Sequence, residues 1–292
     1  MNSLDRSSLQ SDFVFRAHRP FMFRVGLLLR VFLAITLFVG NAAQASAQAS
    51  FDHSRWDSLL SRHVHWIRAE QASAVDYRGM RAAADELEGY LQQVAAIERS
   101  TFESWDNNEQ LAFLINVYNA ATVALIVENL DDIDSIRDIG SLFTSAWELE
   151  RVALFGGRVT LDEIEHDMIR GWGRYNEPRI HFAVNCAAIG CPALQPNAYQ
   201  GATLANQLEH ATQNFLADRS RNYLDGSRLR LSSIFKWYRE DFESGWGGID
   251  TLEQFVARYA QSLGLSPQQA QQLEKGEMRI RFLSYDWGLN SL

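Results

Sequence analysis

The 292-residue sequence is poor in cysteine, with two, and in proline, with five. Two cysteines are too few for a disulfide-built scaffold, so an apolar core must hold the fold. No internal repeat is present, which excludes a repeat architecture. No basic run is present either. The formal net charge is −9, with 27 basic and 36 acidic side chains. An acidic chain without a basic patch is a poor partner for nucleic acid or an anionic membrane surface. An unbroken apolar run of about 20 residues, the length a spanning helix needs, is missing from the start of the chain, because Arg30 interrupts Val25 to Gly40.

What stands there instead has the order of a secretory signal. Arg16, His18, Arg19 and Arg24 precede the apolar segment Val31 to Gly40, and Ala43-Gln-Ala45, Ala45-Ser-Ala47 and Ala47-Gln-Ala49 follow it as small-residue cleavage patterns. No cysteine follows the apolar segment, which rules out a lipoprotein anchor. The expected organisation is a signal peptide with a long n-region over 1–49, cleaved near residues 45–49, and a single domain over 50–292. That domain is expected in the periplasm or secreted, with no stable membrane insertion. Five arginines and two aspartates fall in the leader, so the balance beyond it is −12. Eight tryptophans and a 47 % apolar share argue against disorder.

Periodicity then predicts the elements. Trp56, Leu59, Leu60, His63, Val64 and Ile67 recur at helical spacing, as do Met80, Ala84, Leu87, Leu91 and Val94 in a second helix ending near Arg99. Asp106 with Glu109 forms a capping box before a third helix, Leu111 to Leu130, apolar nearly all round and so expected at the centre. Phe155-Gly156-Gly157 and Asp225-Gly226 mark two hairpins. Thr160 with Glu163 opens a short helix through Arg170 that holds Glu165 and His166. Thr203, Ser232 and Ser266-Pro267 start further helices, Leu252 to Tyr259 gives another helical face, and Met278 to Leu283 alternates like a strand. The fold class is α+β: a mainly helical single domain on a small, mostly antiparallel sheet.

Both cysteines lie in Arg179-Ile-His-Phe-Ala-Val-Asn-Cys-Ala-Ala-Ile-Gly-Cys-Pro-Ala-Leu194. Its β-branched and aromatic residues predict a buried strand, Ile180 to Val184, ended by Gly190 and Pro192. Cys186 then sits at a strand end, as a catalytic thiolate, half of a Cys186–Cys191 disulfide, or an inert thiol.

Several motifs resemble the family known as domain of unknown function 547 (DUF547). They are Phe113-Leu-Ile-Asn-Val-Tyr-Asn-Ala120, Ile164-Glu-His166 with Met168-Ile-Arg170, and His181-Phe-Ala-Val-Asn-Cys186 with Cys191-Pro192. Ile234-Phe-Lys-Trp-Tyr-Arg-Glu-Asp-Phe242 and Tyr285-Asp-Trp287 extend the match over nearly all of 50–292. The resemblance implies an exported bacterial member and carries little function. It makes Cys191 the more dispensable thiol, and leaves a papain-like or transglutaminase-like fold open.

A cysteine nucleophile needs a thiolate, a base in hydrogen-bond reach and oxyanion donors. Cys186 supplies the first, and a helical turn over Ala187 to Ile189 supplies free N–H groups. His166 is favoured as base over His181, because five positions along a strand send two side chains to opposite faces. Glu165, Asp162, Asn116, Asn119 and Asp241 are candidates to orient the imidazole. The predicted site is Cys186, His166 and Glu165 as catalytic residues, with Asn116, Tyr118, Asn119, His181, Tyr238 and Asp241 at the substrate. The activity expected is that of a cysteine-dependent hydrolase or acyl transferase on an amide or peptide-like substrate. The alternative is a non-catalytic exported binding domain stapled by the disulfide, with an aromatic cleft for a sugar or peptide. No cofactor is expected, and zinc on Cys186, Cys191, His166 and His181 lacks any finger spacing.

Overall fold

The computed structural model describes residues 50–141 and 143–292. The expected signal segment and its cleavage sites therefore lie outside the described residues, save for Ser50.

The first element among the described residues is α1 (Ser54–His63), which ends earlier than its apolar spacing suggests. Val64 is extended, and β1 (Val64–Ile67) pairs antiparallel with β2 (Ala72–Val75). The β-branched and aromatic residues of Val64-His-Trp-Ile67 suit that ribbon better than a fourth helical turn. The predicted second helix is divided. Asp76 accepts from Gly79 N at 2.9 Å and starts α2 (Tyr77–Ala82), and Ala83 separates it from α3 (Ala84–Ala95), with α4 (Arg99–Glu103) beyond.

The centre is α5 (Asn107–Asn129). Asp106 accepts the N–H of Glu109 at 2.9 Å, as its sequence predicts. The Glu109 carboxylate does not return to Asp106, however, and accepts from Phe51 N at 3.1 Å, fastening the start of the described chain. Apolar on every face, α5 is long enough by composition to cross a membrane, yet it is almost wholly enclosed by protein. One core cluster gathers around it from α1 to α4.

Next comes the predicted hairpin of β3 (Val152–Leu154) and β4 (Gly157–Val159). Thr160 and Glu163 then form the reciprocal capping box, at 2.7 and 2.9 Å. The helix it opens, Glu163–Gly171, is a π-helix, which periodicity did not foretell. Beyond it lie α6 (Leu204–Ala217), the hairpin of β5 (Tyr223–Asp225) and β6 (Arg228–Leu231), α7 (Ile234–Trp237), α8 (Arg239–Phe242), α9 (Leu252–Arg258), α10 (Pro267–Glu274) and β7 (Arg279–Phe282). A second core cluster joins α6 to the helices and strands that follow.

The result is an α+β domain, mainly helical. The one small sheet expected is instead three separate pieces, β1–β2, β3–β4 and β5–β6–β7, and β7 runs parallel to β6.

The expected strand Ile180 to Val184 is absent. Pro178–Phe182 forms a 3₁₀ helix, with Pro178 at its start and the Glu177 side chain accepting from Arg179 N at 3.2 Å. Proline's fixed φ and that cap favour helical turns, overriding the strand preference of the side chains. This segment joins the two cores: Ile180, Ala183 and Val184 belong to the first, and Phe182 to the second.

Candidate functional site

The seam between the cores opens into a cavity of about 310 Å³. Tyr118 of α5, Trp147, and Asp162, Glu165 and His166 around the π-helix form one side. His181, Val184 and the cysteine loop form its base, and Ile234, Trp237, Tyr238, Tyr285 and Trp287 form the other side. Most of the sequence-predicted residues thus meet here, brought from segments more than a hundred positions apart.

Cys186 does not carry the free thiol expected of a nucleophile. It is bonded to Cys191, with S–S 2.00 Å, and in this form it has no thiolate to attack with. The loop between them is tightly fixed. Asn119 Nδ2 donates to Ala183 O at 2.9 Å, and its Oδ1 accepts from Asn185 N at 2.8 Å. Asn185 in turn reaches Pro192 O at 2.7 Å and takes the N–H of Ala187 at 2.9 Å. Gly190 lies so close to Asp286 O and the Tyr285 ring that a Cβ there would meet both at 2.9 Å. The helical turn with free N–H groups predicted over Ala187 to Ile189 is not formed. Ala187 has φ +59°, Ile189 N donates to Gly288 O at 2.7 Å, and Gly190 N donates to Asp286 O at 2.8 Å. The Ala187, Ile189 and Gly190 amides are occupied, so they are not free as oxyanion donors.

Asn116 and Asn119 are likewise reassigned. Neither lines the cavity. Asn116 brackets Tyr199, accepting its N–H at 3.0 Å and donating to its C=O at 2.8 Å. Both amides hold backbone that has no regular partner of its own.

The two histidines are the main correction. His181 was set aside because a strand would turn it away from Cys186, but there is no strand, and both line the cavity. His181 Nε2 lies 2.6 Å from Asp241 Oδ2, and its ring stacks on Tyr238 with centroids 3.9 Å apart. The carboxylate accepts a hydrogen bond from the Nε2–H, which leaves Nδ1 of the neutral ring with a lone pair, buried and without a protein partner. Burial pushes His181 down from the usual histidine range, opposed by the Asp241 bond. Burial alone would raise Asp241, but hydrogen bonds from His181 and Arg170 bring it well below the usual carboxylate range. Arg170 grips Asp241 at 2.6 and 3.1 Å.

Arg170 also donates to His166 Nδ1 at 2.8 Å. Because a guanidinium only donates, that nitrogen is unprotonated, and the proton of the neutral ring sits on Nε2, 3.7 Å from Asp162 Oδ1. Both ring nitrogens of His166 thus face charged neighbours, Arg170 within hydrogen-bond distance and Asp162 beyond it. Glu165, predicted to orient His166, is buried and accepts from Tyr238 Oη at 2.8 Å instead. Tyr118, also buried, is pushed well up by burial and by Glu165, so it stays protonated.

The aromatic cleft expected around Trp237 and Tyr238 has a wider rim than the sequence suggests, because Trp147, Tyr285 and Trp287 join it. Trp147, Trp237, Tyr285 and Trp287 form a connected group, with Trp287 4.6 Å from Tyr285 and 5.9 Å from both Trp147 and Trp237. The Tyr285-Asp-Trp287 motif was the available signal. Nothing local in it says that it meets Trp237.

Residues 102–216 match the family model described as protein of unknown function, DUF547. This stretch of the chain is similar to the DUF547 family. The DUF547 match begins in α4 and ends in α6, so it contains Tyr118, Glu165, His166, His181 and both cysteines. Tyr238, Asp241 and the Tyr285–Trp287 rim lie beyond it. No curated protein and no solved structure matches the chain.

Proposed function

We propose that this chain is an exported binding domain whose aromatic cleft takes a small sugar-like or peptide-like ligand, with the Cys186–Cys191 disulfide as a staple at its base. The observation that carries this is the composition of the cavity at the seam. Three tryptophans and three tyrosines wall it, and Asp162, Glu165, His166 and His181 supply a few polar groups. Its volume lies at the lower end of the range for small-molecule pockets, and apolar walls with few polar groups are the usual pattern. Export is supported by the leader sequence and by a disulfide, which persists in oxidising compartments. The test is titration of the oxidised protein with chito-oligosaccharides and short peptides, followed by tryptophan fluorescence. Saturable quenching that Trp237→Ala abolishes supports the reading. No response from any probe at millimolar concentration sinks it.

A second reading, the cysteine-dependent hydrolase or acyl transferase, keeps one observation in its favour. His181, bonded to Asp241 through Nε2 and with an unpartnered Nδ1, lines the same cavity as Cys186 and would serve as the general base. Its chemistry begins only once Cys186 is reduced, and its base is then His181 rather than His166. Alkylation of the reduced protein with iodoacetamide tests it. Cys186 must react faster than a free thiol at neutral pH, and His181→Asn must remove the advantage.

A further inference from the structure

The two sulfurs of the bridge differ in access and in hydrogen bonding. Cys191 is 3 % exposed, whereas Cys186 is half-buried, and both line the cavity. The N–H of Cys186 donates to Cys191 Sγ at 2.9 Å. Tyr285 Oη donates to the same sulfur at 3.2 Å, and it lies 3.2 Å from Cys186 Sγ as well. Burial pushes the Tyr285 phenol up, so it keeps its proton and remains a donor. When a disulfide is cleaved by a thiolate, one sulfur is attacked and the other leaves with the electron pair. Here the accessible sulfur is Cys186, and the one held by two donors is Cys191. Charge-assisted hydrogen bonds of this kind favour the leaving thiolate.

We propose that the Cys186–Cys191 bridge undergoes thiol–disulfide exchange with a small thiol that enters the cavity. The incoming thiol loses its proton to solvent, and its sulfur attacks Cys186 Sγ. A new bond forms between the two, the Cys186–Cys191 bond breaks, and its electron pair goes to Cys191 Sγ, where the Cys186 N–H and the Tyr285 hydroxyl hold it. A second thiolate then attacks the outer sulfur of the mixed disulfide. This releases the oxidised small thiol and leaves Cys186 as a thiolate, so two thiols are oxidised and one bridge reduced. The size of the cavity selects for a small carrier, because a thiol on a folded surface does not reach a recessed sulfur.

This inference goes beyond the binding reading and stands or falls separately, since the ligand titration contains no thiol. The test incubates the oxidised full chain with free cysteine and with glutathione, quenches with N-ethylmaleimide, and locates each adduct by fragmentation mass spectrometry. The expected species carries the small thiol on Cys186 and maleimide on Cys191. Tyr285→Phe keeps the ring against Trp237 and Trp287 and removes only the hydroxyl. It should slow exchange about tenfold, the effect of losing one charge-assisted hydrogen bond. An adduct on Cys191, a bridge left intact by millimolar glutathione at mildly alkaline pH, or an unchanged rate in Tyr285→Phe overturns the proposal. The wild-type adduct position needs no variant to fold.

Discussion

His166 and His181 look into one cavity from different walls, and their neighbours give them opposite characters. The His166 side chain is 38 % exposed and sits between Asp162 and Arg170. The His181 side chain is 1 % exposed, stacked on Tyr238 and bonded to Asp241. Arg170 connects the two, taking Asp241 with one part of its guanidinium and His166 with another. The same cation thus fixes opposite outcomes. It makes His166 Nδ1 an acceptor, and it secures the carboxylate that leaves His181 Nδ1 free. Sequence neighbourhood is a poor guide to which ring nitrogen is left free. The charged group on the far nitrogen decides it.

The contrast breaks first at His181. His181→Ala removes a buried ring, opens a void beneath Tyr238 and strips Asp241 of one of its two cationic or donor partners. The expected loss is about 3 kcal/mol, summing cavity formation and a broken buried pair. Urea unfolding of wild type and variant measures it. A loss of under about 1 kcal/mol would mean that the His181–Asp241 contact does not organise this wall.

Much of the fold was legible because it is local. Caps at Asp106, Thr160 and Ser266, the all-round apolar α5 and both hairpins follow from short-range chemistry, and all are present. The cysteine stretch was misread for a definite reason. Ile180 to Val184 has strand-forming side chains, but there is no strand beside it to pair with; its backbone bonds within its own turns, and Asn119 from a remote helix takes up Ala183 O and Asn185 N. The rule that odd spacing separates side chains along a strand was sound, and its premise was missing. Most of the side chains singled out in the sequence, where His, Glu, Tyr and Cys stand out against an apolar background, do line one cavity. Their pairing was not legible, since His181 and Asp241 are sixty positions apart.

A pH series sharpens the comparison with a second buried imidazole. Burial pushes His53 down to about 3, with Asp52 weakly opposing, and burial lowers His181 as well. In the unfolded chain both take a proton near pH 6.5. Below that point the unfolded state binds more protons than the folded one, so stability is full above about pH 6.5 and falls as pH drops. For His53 the fall continues toward about pH 3. The slope is roughly 1.4 kcal/mol per pH unit for each imidazole that stays neutral in the fold. Unfolding midpoints at about pH 7, 6 and 5 check this. A stability that is level or rises across that range would show these rings protonated in the folded protein.

The smallest effect is expected at His166. Its ring is partly in water, and its two charged neighbours, Asp162 and Arg170, are 42 % and 26 % exposed at their side chains. Solvent screens both contacts, and Arg170 keeps its two bonds to Asp241 when the imidazole is gone. His166→Ala should therefore cost under about 1 kcal/mol in the same urea experiment. The ring is nevertheless part of the cavity wall, so the variant should alter ligand titrations while leaving the unfolding midpoint nearly in place. If it unfolds as readily as His181→Ala, the π-helix depends on the His166–Arg170 bond. The outer wall of the cavity would then be as structural as its base.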